Sequence, residues 1–209
     1  MARLLYIETS PRKDRSASIE AAKTFIGEYK RTHPEDVVET LDLWTTHLPE
    51  FDGHVIDSKY AILHGLEHTD EQRQAWKGVE DVIGKFNEAD KYLFSLPMWN
   101  FGIPYKLKHY IDVIVQPGYT FSFSPEEGYK GLVTDKPIAV IYARGGAYGP
   151  GTGAESYDLQ KAYLEHILGF IGFKDFQTLL VEPTLVSPED SKKTMEAARE
   201  QAKAMAARF

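Results

Sequence analysis

The stretch Leu93-Phe94-Ser95-Leu96-Pro97-Met98-Trp99-Asn100-Phe101-Gly102-Ile103-Pro104 decides the fold of this chain. The residues from Tyr92 to Leu96 are apolar or small, which is typical of a strand covered on both faces of a parallel sheet. Pro97 ends the strand, Gly102 permits an unusual backbone angle, and Pro104 suits the first position of a helix. The stretch therefore predicts a buried strand, a stiff loop and a helix.

The loop inside this stretch carries side chains that are costly to leave exposed. They are Met98, Trp99, Asn100 and Phe101. A flat aromatic ligand would cover them, and in parallel sheets ligands bind at this end of a strand. The alternative is that these side chains cap the core, and the loop alone favours neither interpretation.

The length and composition of the chain limit the kinds of fold and chemistry that it can support. With 209 residues, the chain is expected to form one domain over residues 1–209 that buries a core without crosslinks. It contains no cysteine, which fits a reducing cytoplasm and excludes thiolate nucleophiles and redox dithiols. Any redox chemistry must therefore come from a bound cofactor.

Charge and hydropathy exclude two classes of partner. A net charge of −7 argues against a general nucleic-acid-binding surface, which needs an excess of Lys and Arg. Met1-Ala2-Arg3 leads directly into an apolar strand, and no apolar stretch has the length of a membrane span. We expect a soluble, cytoplasmic protein without membrane insertion.

Buried strands alternate with amphipathic helices along the chain. The five predicted strands are Leu4 to Ile7, Val37 to Leu43, Tyr92 to Leu96, Ile138 to Tyr142 and Phe176 to Val181. Five helices with right-handed crossovers then give an α/β fold, with a doubly wound parallel sheet in the order 2-1-3-4-5. A small hairpin is inserted near residues 119–132, whereas Trp44 to Thr69 has no clear pattern.

The loop after the first strand has the composition of an anion site. It offers three serine hydroxyls and three basic side chains at the start of a helix, where free N–H groups favour an anion. These residues are Ser10, Ser16, Ser18, Arg12, Lys13 and Arg15. The sequence predicts a single terminal phosphate here, and the alternative is an ordinary serine cap on a solvated loop.

The loop after the fourth strand is rich in glycine. Gly145 and Gly146 can bring backbone N–H groups close to the edge of a flat ligand and stabilise negative charge there. The alternative is an ordinary flexible loop. In a sheet of order 2-1-3-4-5 the loops after strands one, three and four meet at one edge, beside the point where the strand order reverses.

These loops together resemble a known family. The patterns Ser10-Pro-Arg-x-x-x-Ser16-x-Ser18, Pro97-Met-Trp-Asn-Phe-x-x-Pro104 and Ala143-Arg-Gly-Gly146 are similar to those of the FMN-dependent NAD(P)H azoreductases and quinone reductases. The resemblance covers nearly the whole chain, including Gly169 to Phe173. It implies a flavodoxin-like three-layer α/β/α sandwich.

The resemblance implies a homodimer with one FMN per subunit and active sites at the interface, built partly from the neighbouring chain. It assigns the FMN phosphate to Ser10, Ser16, Ala17 and Ser18. It places Pro97, Met98, Trp99, Asn100 and Phe101 along the isoalloxazine, with Asn100 near N5, and Ala143, Arg144, Gly145 and Gly146 at the pyrimidine end. The candidates for substrate contact are Tyr119, Phe121, Tyr148 and Phe173.

Two positions depart from the family pattern, and one aromatic residue has a second interpretation. Ala17 stands where many relatives carry a polar side chain, so only its backbone N–H remains for the phosphate. Ala143 stands where relatives often carry a hydroxyl residue or another small one, so it offers no hydroxyl contact to the ring. Phe123 shares its alternating pattern with the substrate candidates, but we interpret it as part of the buried face of the hairpin.

The implied activity is a hydride transfer from NADH or NADPH through flavin N5 to a quinone or an azo compound, with ping-pong kinetics. A flavodoxin-type FMN electron carrier acting with a redox protein partner is the alternative. A third hypothesis is a metal hydrolase, supported only by His64, Glu67 and His68, which need a helix to share one face. The protein is expected to bind no metal.

Overall fold

A computed structural model describes residues 1–209. The strands are β1 (Arg3–Glu8), β2 (Val37–Asp42), β3 (Lys91–Pro97), β4 (Phe121–Ser124), β5 (Gly128–Gly131), β6 (Ile138–Ala143) and β7 (Gln177–Val181). The helices are α1 (Ala17–Thr32), α2 (Gly53–Leu63), α3 (Asp70–Asn87), α4 (Tyr105–Ile114), α5 (Leu159–Phe170) and α6 (Pro188–Ala206).

The main sheet confirms the predicted topology. Its five strands are parallel and lie in the order β2-β1-β3-β6-β7. This is the predicted order 2-1-3-4-5, because β4 and β5 belong to the hairpin and β6 and β7 are the fourth and fifth strands of the main sheet. The predicted hairpin is also confirmed, with β4 antiparallel to β5 in a separate sheet. The strand order reverses between β1 and β3, at the edge where ligands of such sheets bind.

Alternate residues of the central strands pack on opposite faces of the sheet. Leu4, Tyr6 and Leu93 pack against α1 and α6 on one face. Leu5 and Phe94 belong to the second core, together with side chains of α3, α4 and α5. Because side chains of a strand alternate in direction, a continuous apolar run fills both cores at once.

The structure has six helices, so the prediction of five is wrong. The additional helix, α2, lies in the segment that showed no clear pattern. Asp52 caps it by accepting a hydrogen bond from the backbone N–H of Val55 (3.0 Å). Only Val55 and Ser58 are buried, while Tyr60 and Leu63 are about half exposed, and this weakens the apolar period that would have revealed a helix.

The end of α2 removes the basis of the metal hypothesis. The helix ends at Leu63 and the chain is not helical from His64 to His68, so the two histidines do not share a helix face. No group of three or more His, Cys, Asp or Glu side chains is arranged to hold a metal ion. None of the helices has the length and apolar composition needed to cross a bilayer.

Two glycines attach the hairpin to the end of α5. A Cβ atom at Gly131 would lie 2.4 Å from the backbone nitrogen of Gly172. Gly172 itself has a φ of +123°, and a Cβ atom there would lie 2.8 Å from the carbonyl oxygen of Val133. Val133 also donates a backbone hydrogen bond to Ile171 (2.9 Å). The two backbones can approach this closely only without side chains.

This close approach predicts a stability difference between two glycine-to-alanine variants. Gly172→Ala should lower the free energy of unfolding by about 1–3 kcal/mol, because the new methyl group overlaps backbone atoms. Gly27→Ala is the control: Gly27 is exposed within α1 with no atom near its Cβ position, so the variant should gain about 0.5–1 kcal/mol. Urea unfolding measures both, and equal stability of the two variants would contradict the assigned contact.

Candidate active site

Backbone hydrogen bonds join the three loops that the sequence predicts at one edge. Thr9, after β1, donates from its N–H to the carbonyl of Ser95 in β3 (3.2 Å). Met98, after β3, donates to the carbonyl of Ala143 at the end of β6 (2.8 Å). These bonds hold the loops side by side along the carboxyl edge of the sheet.

A cleft of about 160 Å³ lies between these loops. Eight of the predicted cofactor-binding residues line it: Ser10, Ser16, Ala17, Pro97, Met98, Trp99, Ala143 and Gly145. Arg12 also lines it, together with Thr184 and Leu185 from the loop after β7. Thr184 and Leu185 were not predicted from the sequence. The available signal was their position after the fifth parallel strand, which ends at the same edge.

Helix α1 begins without a side-chain cap, which leaves its N-terminus available to a ligand. The backbone N–H groups of Ala17, Ser18 and Ile19 donate to no protein acceptor. The hydroxyl of Ser16, at the N-cap position, is directed to the hydroxyl of Ser18 (3.1 Å), and both serines are buried. Free N–H groups, the helix dipole and two hydroxyls form an arrangement that suits a phosphate group.

The three basic residues of the loop between β1 and α1 have different environments. Arg12 lines the cleft, and Arg15 is exposed to solvent. The Lys13 ammonium contacts Glu8 (2.8 Å) and Asp42 (2.6 Å) instead. Its partial burial disfavours the charged form, but the hydrogen bonds to Asp42 and Glu8 outweigh this and raise the pKa of Lys13. Lys13 is therefore neutralised by two carboxylates of the protein.

The loop after β3 is a tight turn with strained backbone. Trp99 and Gly102 exchange two backbone hydrogen bonds (3.0 and 2.9 Å). The positive φ angles lie at Asn100 (+47°) and Phe101 (+66°), so the assignment of the unusual angle to Gly102 is wrong. Asn tolerates this conformation, whereas for Phe it costs about 1–2 kcal/mol. The next helix begins at Tyr105, one residue after the predicted Pro104.

Trp44, which was not predicted from the sequence, connects the loop after β1 to the loop after β3. Its indole N–H donates to the carbonyl of Thr9 (2.8 Å), and its ring lies 5.8 Å from that of Trp99. Tyr105 packs edge-on against it at 5.5 Å. A tryptophan directly after the second strand, which lies beside β1, was the signal for this position.

The loop after β6 exposes three consecutive N–H groups. The backbone nitrogens of Gly145, Gly146 and Ala147 donate to no protein acceptor. A Cβ atom at Gly145 would lie 2.7 Å from the side chain of Leu185, so the loop after β7 packs closely on this position. Such a row of donors suits the oxygen and nitrogen acceptors on the edge of a flat heterocycle.

The side chain of Arg144 does not reach the cleft. It is completely buried and makes ion pairs with Asp158 (2.7 Å) and Glu182 (3.2 Å). Its Nε also donates to Gln160 (3.0 Å). A side-chain contact between Arg144 and a cofactor is therefore excluded, because all three nitrogens already have protein partners beneath the loop.

A cluster of three aromatic side chains lies beside the turn after β3. The ring of Phe101 packs edge-on against Tyr148 (6.1 Å) and is stacked on Tyr157 (5.1 Å). Tyr148 is thus placed near the predicted cofactor loop, as a substrate candidate requires. Tyr157 was not identified from the sequence. The polar side chain of Asn100 is exposed beside this group.

Two interpretations of aromatic residues are wrong. Phe173 is a core residue: it is 3% exposed and packs on Phe86 and Tyr92, at the amino end of β3, opposite the cleft. It cannot contact a substrate, because core side chains surround it. Phe123 is not part of a buried face, since it is 60% exposed beside Tyr129.

Tyr119 and Phe121 also lie at the amino edge of the sheet. Asn87, the last residue of α3, donates to the carbonyl of Tyr119 (3.2 Å). The hydroxyl of Tyr119 donates to Glu80, and its ring packs on Trp76. Phe121 packs on Phe170, the last residue of α5. Within one chain, these residues are separated from the cleft by the length of a strand, about 20 Å.

Relatives of this chain share its full length. A family model described as a flavodoxin-like fold matches residues 2–206. A protein of Desulfotalea psychrophila named FMN-dependent NADH:quinone oxidoreductase is 48% identical over 206 residues, which are 99% of this chain and 97% of that protein. A protein of the same name from Nitratidesulfovibrio vulgaris is 48% identical over the whole of both chains.

Solved structures agree with this relationship. An azoreductase from Bacillus anthracis strain Sterne superposes with a TM-score of 0.92 and 32% identity, over 100% of both chains. An FMN-dependent NADH-azoreductase from Bacillus anthracis strain Ames Ancestor, in complex with FMN, has a TM-score of 0.90 and 28% identity over 100% of this chain and 99% of that one. The chain therefore belongs to the flavodoxin-like family that includes the proteins named FMN-dependent NADH:quinone oxidoreductase.

Proposed function

We propose that this protein is an FMN-dependent NAD(P)H oxidoreductase that reduces quinones to hydroquinones and aromatic azo compounds to amines by a ping-pong mechanism. The observation that carries the proposal is a single cleft with unpaired N–H donors at both ends and an aromatic turn between them. FMN has an anionic phosphate, a flat ring system and an acceptor-rich pyrimidine edge. The cleft offers a complementary group for each part.

The residues of the cleft would bind two different parts of FMN, the phosphate and the ring system. The start of α1, with Ser16, Ser18 and the backbone of Ala17, would hold the phosphate. The N–H groups of Gly145 and Gly146 would hold the pyrimidine edge, with the turn at Asn100 beside the ring. When bound, FMN supplies the hydride chemistry between NAD(P)H and acceptor, so the protein needs no nucleophile of its own.

The position of the hairpin supports a homodimer with active sites at the interface. Phe121, Phe123, Tyr129 and Phe170 form a connected aromatic patch, with ring centroids 4.9 to 6.1 Å apart. Phe123 and Tyr129 are 60% and 67% exposed, which is costly in water. Because the patch cannot reach the cleft of its own chain, it would contact a substrate only in a second copy.

The first test of the proposal is the identity and reactivity of the bound cofactor. The purified protein should release FMN on denaturation. In anaerobic stopped-flow mixing, NADH or NADPH should bleach the flavin absorbance, and a later addition of a quinone should restore it. Initial rates at varied NADH and quinone should give parallel double-reciprocal lines, and an azo dye should replace the quinone as acceptor. A flavin that does not bleach would favour the electron-carrier alternative instead.

The phosphate assignment predicts a large loss of affinity in a double variant. Ser16→Ala with Ser18→Ala should raise the FMN dissociation constant about 100-fold, because two hydrogen bonds to a charged group are lost at about 1.5 kcal/mol each. Quenching of flavin fluorescence by the apoprotein measures this constant. Ser58→Ala is the control, since Ser58 is buried in α2, where it donates to His54 (2.6 Å). Equal affinity of the double variant and the control would refute the assignment.

The dimer proposal predicts coupled changes in assembly and substrate use. Phe123→Asp with Tyr129→Asp should shift the protein from dimer to monomer in sedimentation velocity and raise KM for quinone at least tenfold. Binding of FMN to the apoprotein should persist, because no cleft residue of the same chain is altered. Val37→Ser, at an exposed apolar position at the start of β2, should remain dimeric. A monomeric native enzyme with normal quinone turnover would refute the proposal.

A further inference from the structure

We infer that Arg144 is a positioning residue, which acts through Glu182 to hold the three unpaired N–H groups of Gly145, Gly146 and Ala147 in place for the flavin. The inference rests on the proposed function, since it assumes that FMN occupies the cleft. It goes beyond that function because it assigns a reaction-related role to a buried ion-pair network outside the cleft.

The guanidinium of Arg144 joins three parts of the fold. Its Nη2 contacts Asp158, whose other oxygen caps α5 by accepting from the N–H of Lys161 (3.0 Å). Its Nε donates to Gln160 (3.0 Å), whose amide group in turn lies 3.5 Å from the carbonyl of Leu96 in β3. Its Nη1 contacts Glu182, directly after β7.

Glu182 carries the effect of Arg144 to the glycine-rich loop. Its Oε2 accepts from the backbone N–H of Tyr148 (3.1 Å) as well as from Arg144, and its Oε1 accepts from the N–H of Gly149 (3.0 Å). A Cβ atom at Gly149 would lie 2.8 Å from this Oε1, so the backbone approaches the carboxylate closely. One end of the segment from Gly145 to Ala147 is thereby anchored.

The backbone of Arg144 anchors the other end. Its carbonyl accepts from both the N–H and the hydroxyl of Thr184, each at 2.9 Å, and its N–H donates to Val181 (3.0 Å). The carbonyl of Gly145 accepts from Leu185 (3.0 Å). Within the segment between the two anchors, the carbonyl of Gly145 is used for protein contacts, whereas the N–H groups of Gly145, Gly146 and Ala147 remain without protein partners. The network therefore determines which polar groups the loop offers to a ligand.

Arginine suits this position for a geometric reason. A planar guanidinium has donors in several fixed directions, and here three of its nitrogens contact three different residues. A lysine ammonium could not span the same partners. Asp158 and Glu182 are themselves nearly buried, with 15% and 11% of their side chains exposed, so they require a permanent cation between them.

The expected consequence concerns the charge of the flavin rather than only its binding. Donors that are held in place before the ligand arrives stabilise negative charge without having to reorganise. If the network positions the three N–H groups, its disruption should weaken the binding of reduced FMN more than that of oxidised FMN. The midpoint potential of the bound flavin should then fall.

The test uses Glu182→Gln, which keeps the size of the side chain but replaces one acceptor oxygen by an NH₂ group. We expect the dissociation constant of oxidised FMN to rise about threefold and that of reduced FMN about thirtyfold. The tenfold difference corresponds to a fall of about 30 mV in the two-electron midpoint potential. Quenching titrations of the apoprotein and anaerobic redox titrations measure the two quantities. Arg144→Lys should likewise raise both dissociation constants and lower the midpoint potential.

The matched control is Glu165→Gln. Glu165 is also a largely buried carboxylate with several partners, namely Lys161, Thr178 and Tyr142, but it contacts no residue of the glycine-rich loop. The Glu165→Gln variant should lower the melting temperature of the apoprotein without changing the midpoint potential of the bound flavin. If Arg144→Lys does not fold, Glu182→Gln decides the question by itself.

The possible outcomes separate this inference from the proposed function. If Glu182→Gln lowers the melting temperature as Glu165→Gln does, with an unchanged potential, the network is only structural and the inference is wrong, while the proposed function stands. A native protein that binds no FMN would overturn the proposed function, and this inference with it.

Discussion

The hydrogen bond from Met98 to the carbonyl of Ala143 is the contact on which the geometry of the site depends. It extends the pairing of β3 with β6 by one residue beyond the point where the strands would otherwise separate. With the bond from Thr9 to Ser95, it keeps three loops in contact at the place where the strand order reverses. The cleft exists because parallel strands end together there while their helices diverge to opposite faces.

The polar groups around this cleft are left unpaired at some cost to the fold. The first N–H groups of α1 have no cap, whereas α2, α3, α5 and α6 each begin with a capping side chain. The turn at Asn100 and Phe101 adds backbone strain. Two continuous cores on the faces of the sheet offset these costs. Three of the five non-glycine residues with positive φ, Lys13, Asn100 and Phe101, lie at this carboxyl edge together with the unpaired donors, as is typical of ligand sites.

The sequence alone predicted the strands, their order and the hairpin, because buried strands leave continuous apolar runs and parallel strands require crossover helices. It also identified three of the four loops that line the cleft, but not the loop after β7. It missed α2, whose apolar face is only partly buried, and it assigned Phe173 to the substrate although this residue lies in the core. Trp44, Thr184 and Leu185 escaped notice because they carry no local motif and reach the site only through the arrangement of neighbouring strands.

What the sequence determined by itself was the set of elements and the chemistry of each loop, since both depend on residues close together in the chain. The tertiary structure alone decided the role of each side chain. It directed Lys13 to two carboxylates rather than to the cleft, buried Arg144 beneath its loop, and placed the hairpin at the opposite edge of the sheet. Apart from the contact between Lys13 and Glu8, these outcomes depend on residues far apart in the sequence, and no local pattern records them.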